Sequence, residues 1–112
     1  MSKKINKKLS KSITGGMRFN VGKARLSLVP SCLEEAVAEV ILKSSDTYGG
    51  KYPLNNWRKG LPWGEVSESA MRHMKKFAQE GQDFDKESGM HHLKHAATNI
   101  AFLLEYLKTH PE

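Results

Sequence analysis

The stretch Glu87–Thr109, ESGMHHLKHAATNIAFLLEYLKT, decides the fold class. Leu93, Ala96, Ala97, Ile100, Leu103, Leu104 and Leu107 recur at steps of three and four, the period of a helix running from about Ser88 to Thr109. This apolar stripe is wider than a lone three-helix layer requires. Ala96, Ala97 and Ala101 would let another helix approach closely, so a homo-oligomer is expected. A second face carries His92, His95, Asn99, Phe102 and Tyr106. His91 and His95 also stand one turn apart, the spacing at which helical histidines chelate a transition metal, although the HExxH motif is absent. The same cluster is open to a plainer use, with one ring in the core, one on a backbone group and one in water. The positive end of a helix dipole disfavours the imidazolium form in either case.

Working outward, GQDFDKESG delivers Asp83, Asp85 and Glu87 just ahead of the histidines. Before it, a helix from about Glu65 to Glu80 would bury Val66, Ala70, Met74 and Phe77 and stop at Gly81. Earlier still, Ser31-x-x-Glu34 reads as a capping box opening a helix with Leu33, Val37, Val40 and Ile41 as its stripe, ended by Tyr48-Gly49-Gly50. Between these two helices lies DTYGGKYPLNNWRKGLPWG, Asp46 to Gly64, longer than most loops of compact domains and too aromatic to read as disordered. Gly15 to Pro30 reads as an extended arm or short strand. The expectation is an all-α, compact domain of three main helices, with an extended N-terminal arm and a long loop between helices one and two.

With 112 residues there is room for one core and no second domain. The net charge of +6 is concentrated at Lys3, Lys4, Lys7, Lys8 and Lys11, which leaves 13 basic against 12 acidic residues elsewhere. Residues 1–14 therefore read as a basic flexible tail, and nucleic acid is an expected partner only through non-specific contact with it. No apolar run is long enough to span a bilayer, the N-terminus lacks the apolar core of a secretory signal, and the single Cys32 suits a reducing compartment.

Two further groups could carry chemistry. Glu35 and Glu39, one turn apart beside Glu34, could hold Mg²⁺ through carboxylate oxygens or form a solvated face. Lys23 and Arg25 in VGKARL, and Arg58 and Lys59 in NNWRKG, pair cations with glycines that let backbone approach an anion. Trp57 and Trp63 flank the second group and could stack on a base or plug a small core. Arg72 and His73 could join such a site or pair within their own helix.

The ordered set GKARLSLVP, EEA, YGG, NNWRKGLPW, RH and GQDFDKESGMHHLKHAATNIAFLLEY resembles the phage-encoded dATP/dGTP diphosphohydrolase N-terminal family, itself distantly similar to MazG-like all-α nucleotide pyrophosphohydrolases. The resemblance covers roughly Gly16 to Tyr106. It implies a helical nucleotide-binding domain over 15–112 that converts purine deoxynucleoside triphosphates to monophosphate and pyrophosphate with Mg²⁺ or Mn²⁺, in the cytoplasm of an infected bacterium. The MazG-like pattern sets acidic pairs at a three-residue step, whereas Glu35 and Glu39 are four apart and His92 and His95 stand where the later pair is expected. Under this resemblance Glu35, Glu39, Asp83 and Asp85 are the metal candidates, and His91, His92 and His95 the catalytic ones. Lys23, Arg25, Asn56, Trp57, Arg58, Lys59, Arg72, His73 and Asn99 are the substrate-binding candidates. The imidazoles in place of carboxylates also support a rival: a nucleotide-binding protein without turnover that sequesters a cyclic or signalling nucleotide.

Overall fold

The computed structural model describes residues 9–11, 15–19 and 21–111. Three helices carry the fold: α1, Ser31–Lys43; α2, Trp63–Ala78; and α3, His92–Thr109. α3 is the central element, packing on α2 most extensively and on α1 along another side. Ahead of them, β1 (Leu9–Lys11) and β2 (Met17–Phe19) form a two-stranded antiparallel ribbon with Ser10 opposite Arg18. The arm is thus extended at Met17–Phe19 but forms a 3-10 turn at Leu26–Leu28, just ahead of α1, and β1 lies inside the stretch read as tail. The rest of that tail, including Lys3 to Lys8, falls outside the described residues.

The starts and ends of the helices depart from the sequence reading in instructive ways. The capping box does not form: Pro30 occupies the cap position of α1 without a side-chain cap, and Ser31 is already helical. Proline needs no partner for an amide it lacks, and its extended ψ of 132° turns the chain into the first turn. Pro62 opens α2 in the same manner, two residues before the expected start, with Glu65 in the first turn. α1 also ends earlier than Tyr48-Gly49-Gly50, because the Ser45 hydroxyl turns back onto the Leu42 carbonyl and a separate 3-10 turn, Asp46–Tyr48, follows.

α3 starts at His92 rather than near Ser88. The Ser88 amide is taken by the Asp85 carboxylate and its hydroxyl accepts from the Met90 amide, so residues 85–90 close a tight turn of their own. His91 then caps the helix, its Nδ1 accepting from the Leu93 amide at 3.0 Å.

The core is small and unusually polar. Val40, Val66, Ala70, Met90, Ala96 and Tyr106 are buried together with Ser45, His73, His92 and Thr98. Tyr106 is the linchpin of one end: its hydroxyl donates to the Trp57 carbonyl, and its ring lies beside those of Trp57 and Phe102. Trp63 Nε1 donates to the His110 carbonyl at 3.1 Å, a second tie between the long loop's exit and the C-terminal end of α3. Met74, expected inside, is exposed, as are Leu33, Leu93, Ile100, Leu104 and Leu107.

Candidate functional site

A cleft of about 630 Å³ opens where the α1–α2 loop faces α2 and the turn before α3. One wall is Lys43, Ser44 and the run Tyr48–Tyr52, and the other is Arg72, His73, Asp85, Glu87, Ser88, Met90 and His95. Gly50 shapes the first wall. A Cβ there would run into the Ser44 carbonyl, and the Gly50 amide donates to the Ser45 carbonyl at 2.8 Å, so only glycine lets this backbone close up. The wall is closed again where the Asp46 amide donates to the Tyr52 carbonyl at 2.7 Å. Lys43, Lys51 and Arg72 outnumber the carboxylates Asp85 and Glu87 in the cleft by one charge at neutral pH, with Lys43 also paired to Glu39 at 2.8 Å.

At its floor lies a histidine–aspartate cluster. His73 Nδ1 and His92 Nδ1 are 2.8 Å apart, and the ring of His95 stacks on His73 at 4.6 Å with planes 14° apart. His95 Nε2 meets the Ser88 hydroxyl at 2.6 Å and lies 3.8 Å from Asp85 Oδ2. Burial, aided by the neighbouring His95, pushes His73 down to about 4, and burial likewise lowers His95 against the opposing pull of Asp85. Both rings are therefore neutral at physiological pH, with lone pairs to give. Burial alone would raise the Asp85 carboxyl, but the hydroxyl and amide of Ser88 outweigh it and hold the group ionised below the usual range. His73, Asp85 and His92 each offer one ligand atom, all within 4.8 Å of one another, which fits a metal ion.

A second, mostly apolar cleft of about 290 Å³ adjoins the first, sharing Ser44 and Tyr52. Asn56, Trp57, Leu54 and Phe102 line it. Trp57 stacks on Phe102 at 4.7 Å, and the Arg58 guanidinium sits 4.5 Å from the indole centroid.

Residues 14–112 match the model of the family described as dATP/dGTP diphosphohydrolase, N-terminal. The chain belongs to this family. A similar curated protein is the dATP/dGTP diphosphohydrolase of Salmonella phage PMBT28, 33% identical over 96 residues. That match takes in 86% of this chain but only 31% of the phage protein, so the chain spans less than a third of its relative's length. No solved structure matches it.

In this member of the family, the residues expected from sequence divide into four places. Arg72, His73, Asp85 and His95 meet in the first cleft, with His92 buried against His73. Asn99 stands one turn beyond His95, its amide donating to Ser69 Oγ at 3.0 Å, where Arg72 also reaches at 3.4 Å. Asn56 and Trp57 line the adjoining apolar cleft, while Arg58 is spent on the Trp57 ring and on Asn55, and Lys59 is exposed beside it. Lys23 and Arg25 are exposed on the arm and line neither cleft.

The acidic candidates also part company. Glu39 is drawn to Lys43 at 2.8 Å and Lys94 at 2.6 Å, which pulls its carboxyl down to about 2. Glu35 is exposed on α1, and Asp83 faces His91 at 3.8 Å. The four are not brought together; of them Asp85 joins His73 and His92. Sequence reasoning missed Lys43, Lys51, Tyr48, Tyr52 and Ser88 as cleft residues. The signal for most of them was the Tyr-Gly-Gly-Lys-Tyr run inside a loop already marked as too long to be idle.

Proposed function

We propose that this domain acts on purine deoxynucleoside triphosphates, hydrolysing the bond between the α- and β-phosphates to give the monophosphate and pyrophosphate. The observation that carries the reading is the meeting of three cations, Lys43, Lys51 and Arg72, with the His73–Asp85–His92–His95 cluster in one cleft. A triphosphate needs cations along its length, and Arg72 offers a planar fork to two oxygens at once. Tyr48 and Tyr52 stand on the opposite wall, where a purine can lie against a ring face. Through Tyr52 the base reaches the apolar cleft with Asn56 and Trp57.

The chain's own groups then manage the proton. Water bound at Ser88 Oγ attacks the α-phosphorus, its proton passing to that oxygen as the Ser88 hydroxyl turns its own proton from Asp85 to His95 Nε2, which burial keeps neutral and receptive. Lys43, Lys51 and Arg72 offset the charge on the departing pyrophosphate. His73, Asp85 and His92 would hold a divalent metal, which when bound polarises phosphate oxygens and acidifies water.

The assembly and setting belong to the same reading. A second copy of this chain is proposed to cover the groove between α1 and α3 lined by Leu33, Val37, Ile41, Ile100 and Leu104. Among the described residues no helix is long and apolar enough to cross a membrane, and the bacterial cytoplasm, where deoxynucleotides are found, is the proposed site of action.

Pyrophosphate release from dATP and dGTP with Mg²⁺, Mn²⁺, Co²⁺ or Zn²⁺ is the direct test. Turnover is expected, with Arg72→Ala and Lys51→Ala each weakening substrate use about tenfold, the value of a charge-assisted hydrogen bond. A folded protein that releases no pyrophosphate from any deoxynucleotide with any of these metals sinks the proposal.

A further inference from the structure

The contact between His73 and His92 is an odd way to fill a core. Both rings are more than nine-tenths buried, and their Nδ1 atoms face each other at 2.8 Å. Two neutral imidazoles can share only one proton across such a contact. Among the described residues, His92 Nε2 is buried with no hydrogen-bond partner. If His92 donates from Nδ1, that Nε2 is an unmatched lone pair; if His73 donates, it is an unmatched N–H. Either tautomer strands a buried polar atom, at a cost of about 1–3 kcal/mol. Apolar side chains would fill the same space between α2 and α3 more cheaply.

What the arrangement suits is a cation. A metal ion in place of the shared proton lets both Nδ1 lone pairs act at once and leaves His92 Nε2 as the buried N–H of the second tautomer, so what points to the ion is the facing pair of nitrogens with an Asp85 oxygen within 4.8 Å of the histidine ligand atoms. Asp85 is fixed for this from behind, its Oδ2 accepting the Ser88 amide at 3.0 Å and lying 3.8 Å from His95 Nε2. Carboxylates and histidines that bind metals are commonly oriented by such outer groups.

We propose that His73, His92 and Asp85 form a site for a first-row transition dication of the Zn²⁺ or Co²⁺ kind, in preference to Mg²⁺. Two imidazole nitrogens and one carboxylate favour borderline ions, whereas Mg²⁺ keeps to oxygen and to its waters. The site clamps α2 to α3 through the turn at residues 85–90, so its occupancy stabilises the fold as well as arming the cleft. The inference rests on the hydrolase reading for what the ion would do, but its binding is measured without turnover.

The test is Co²⁺ binding to the full chain, untagged and stripped with a chelator. One Co²⁺ per chain is expected to survive desalting, with visible ligand-field bands and a raised melting temperature, and a large excess of Mg²⁺ should displace none of it. Asp85→Asn and His92→Gln are expected to weaken retention by about tenfold or more, while His91→Gln, which alters the cap and the contacts with Asp83, Phe77 and Phe84 but none of the three ligands, leaves it intact. If His92→Gln fails to fold, Asp85→Asn, on a loop, still decides. Absence of stoichiometric retention, retention unchanged in Asp85→Asn, or displacement by Mg²⁺ overturns the site. Pyrophosphate assays on the same samples separate the two ideas: Co²⁺ held without turnover under any metal overturns the hydrolase and leaves the site standing, whereas turnover with Mg²⁺ and no retained Co²⁺ does the reverse.

Discussion

The two faces of α3 have changed places relative to the usual order of a globular helix. One face, with His92, His95, Asn99 and Tyr106, is turned inward against α2 and the loops, while the other leaves Leu93, Ile100, Leu104 and Leu107 between 41% and 60% exposed. Polar groups go inside only when partners wait for them, and here the partners are His73, Ser69 and the Trp57 carbonyl. The leucines have none among the described residues beyond the shallow groove with α1. The inner face therefore carries the paired polar groups, and the outer face leaves apolar surface uncovered among the described residues.

Breaking the inner face should cost most. Tyr106→Ala removes a 1%-exposed ring and the tie to Trp57, and unfolding in denaturant should show about 3–5 kcal/mol of lost stability. Tyr106→Phe, which deletes only the hydroxyl, should lose about 1–2 kcal/mol. The outer face should answer oppositely. Leu104→Glu, at 60% exposure, should change monomer stability by no more than about 0.5 kcal/mol yet abolish self-association in light scattering. A monomeric parent of the same mass would remove the contrast.

A weaker lever is pH. His73 titrates at about 4 in the fold against an ordinary 6.5, so the unfolded chain binds the extra proton first. Metal-free stability should be full above pH 6.5 and fall progressively towards pH 4, with His73→Gln flattening the slope over that window. The smallest effect concerns Glu39, whose carboxyl should titrate near 2 by NMR. Lys94→Met should move it back towards the ordinary range, with little change in stability for so exposed a pair.

Much of this was legible in the sequence because it is local. The three-and-four spacing of α3 announced both a helix and the shared face of His92, His95 and Asn99. What was not legible is long-range or competitive. Glu39 reads from its own helix as half of a metal pair, and nothing local in the sequence shows that Lys94, 55 residues away, lies on its carboxylate. Ser31 had the right chemistry for a cap but stood behind a proline that took the position. His73 gave no sign that it would meet His92 across the helix interface, because periodicity speaks of one helix at a time. The inverted burial of α3 was hidden for the same reason: its leucine stripe is the stronger pattern, and only its neighbours decide which stripe goes inside.

The loop wall of the cleft has one more implication. Its shape is held by main-chain bonds, Gly50 to Ser45 and Asp46 to Tyr52, rather than by Tyr48, Lys51 or Tyr52 side chains. Those three side chains are thus ornaments on a frame that stands without them, and exchanging them leaves the frame, and the histidines opposite, as they are.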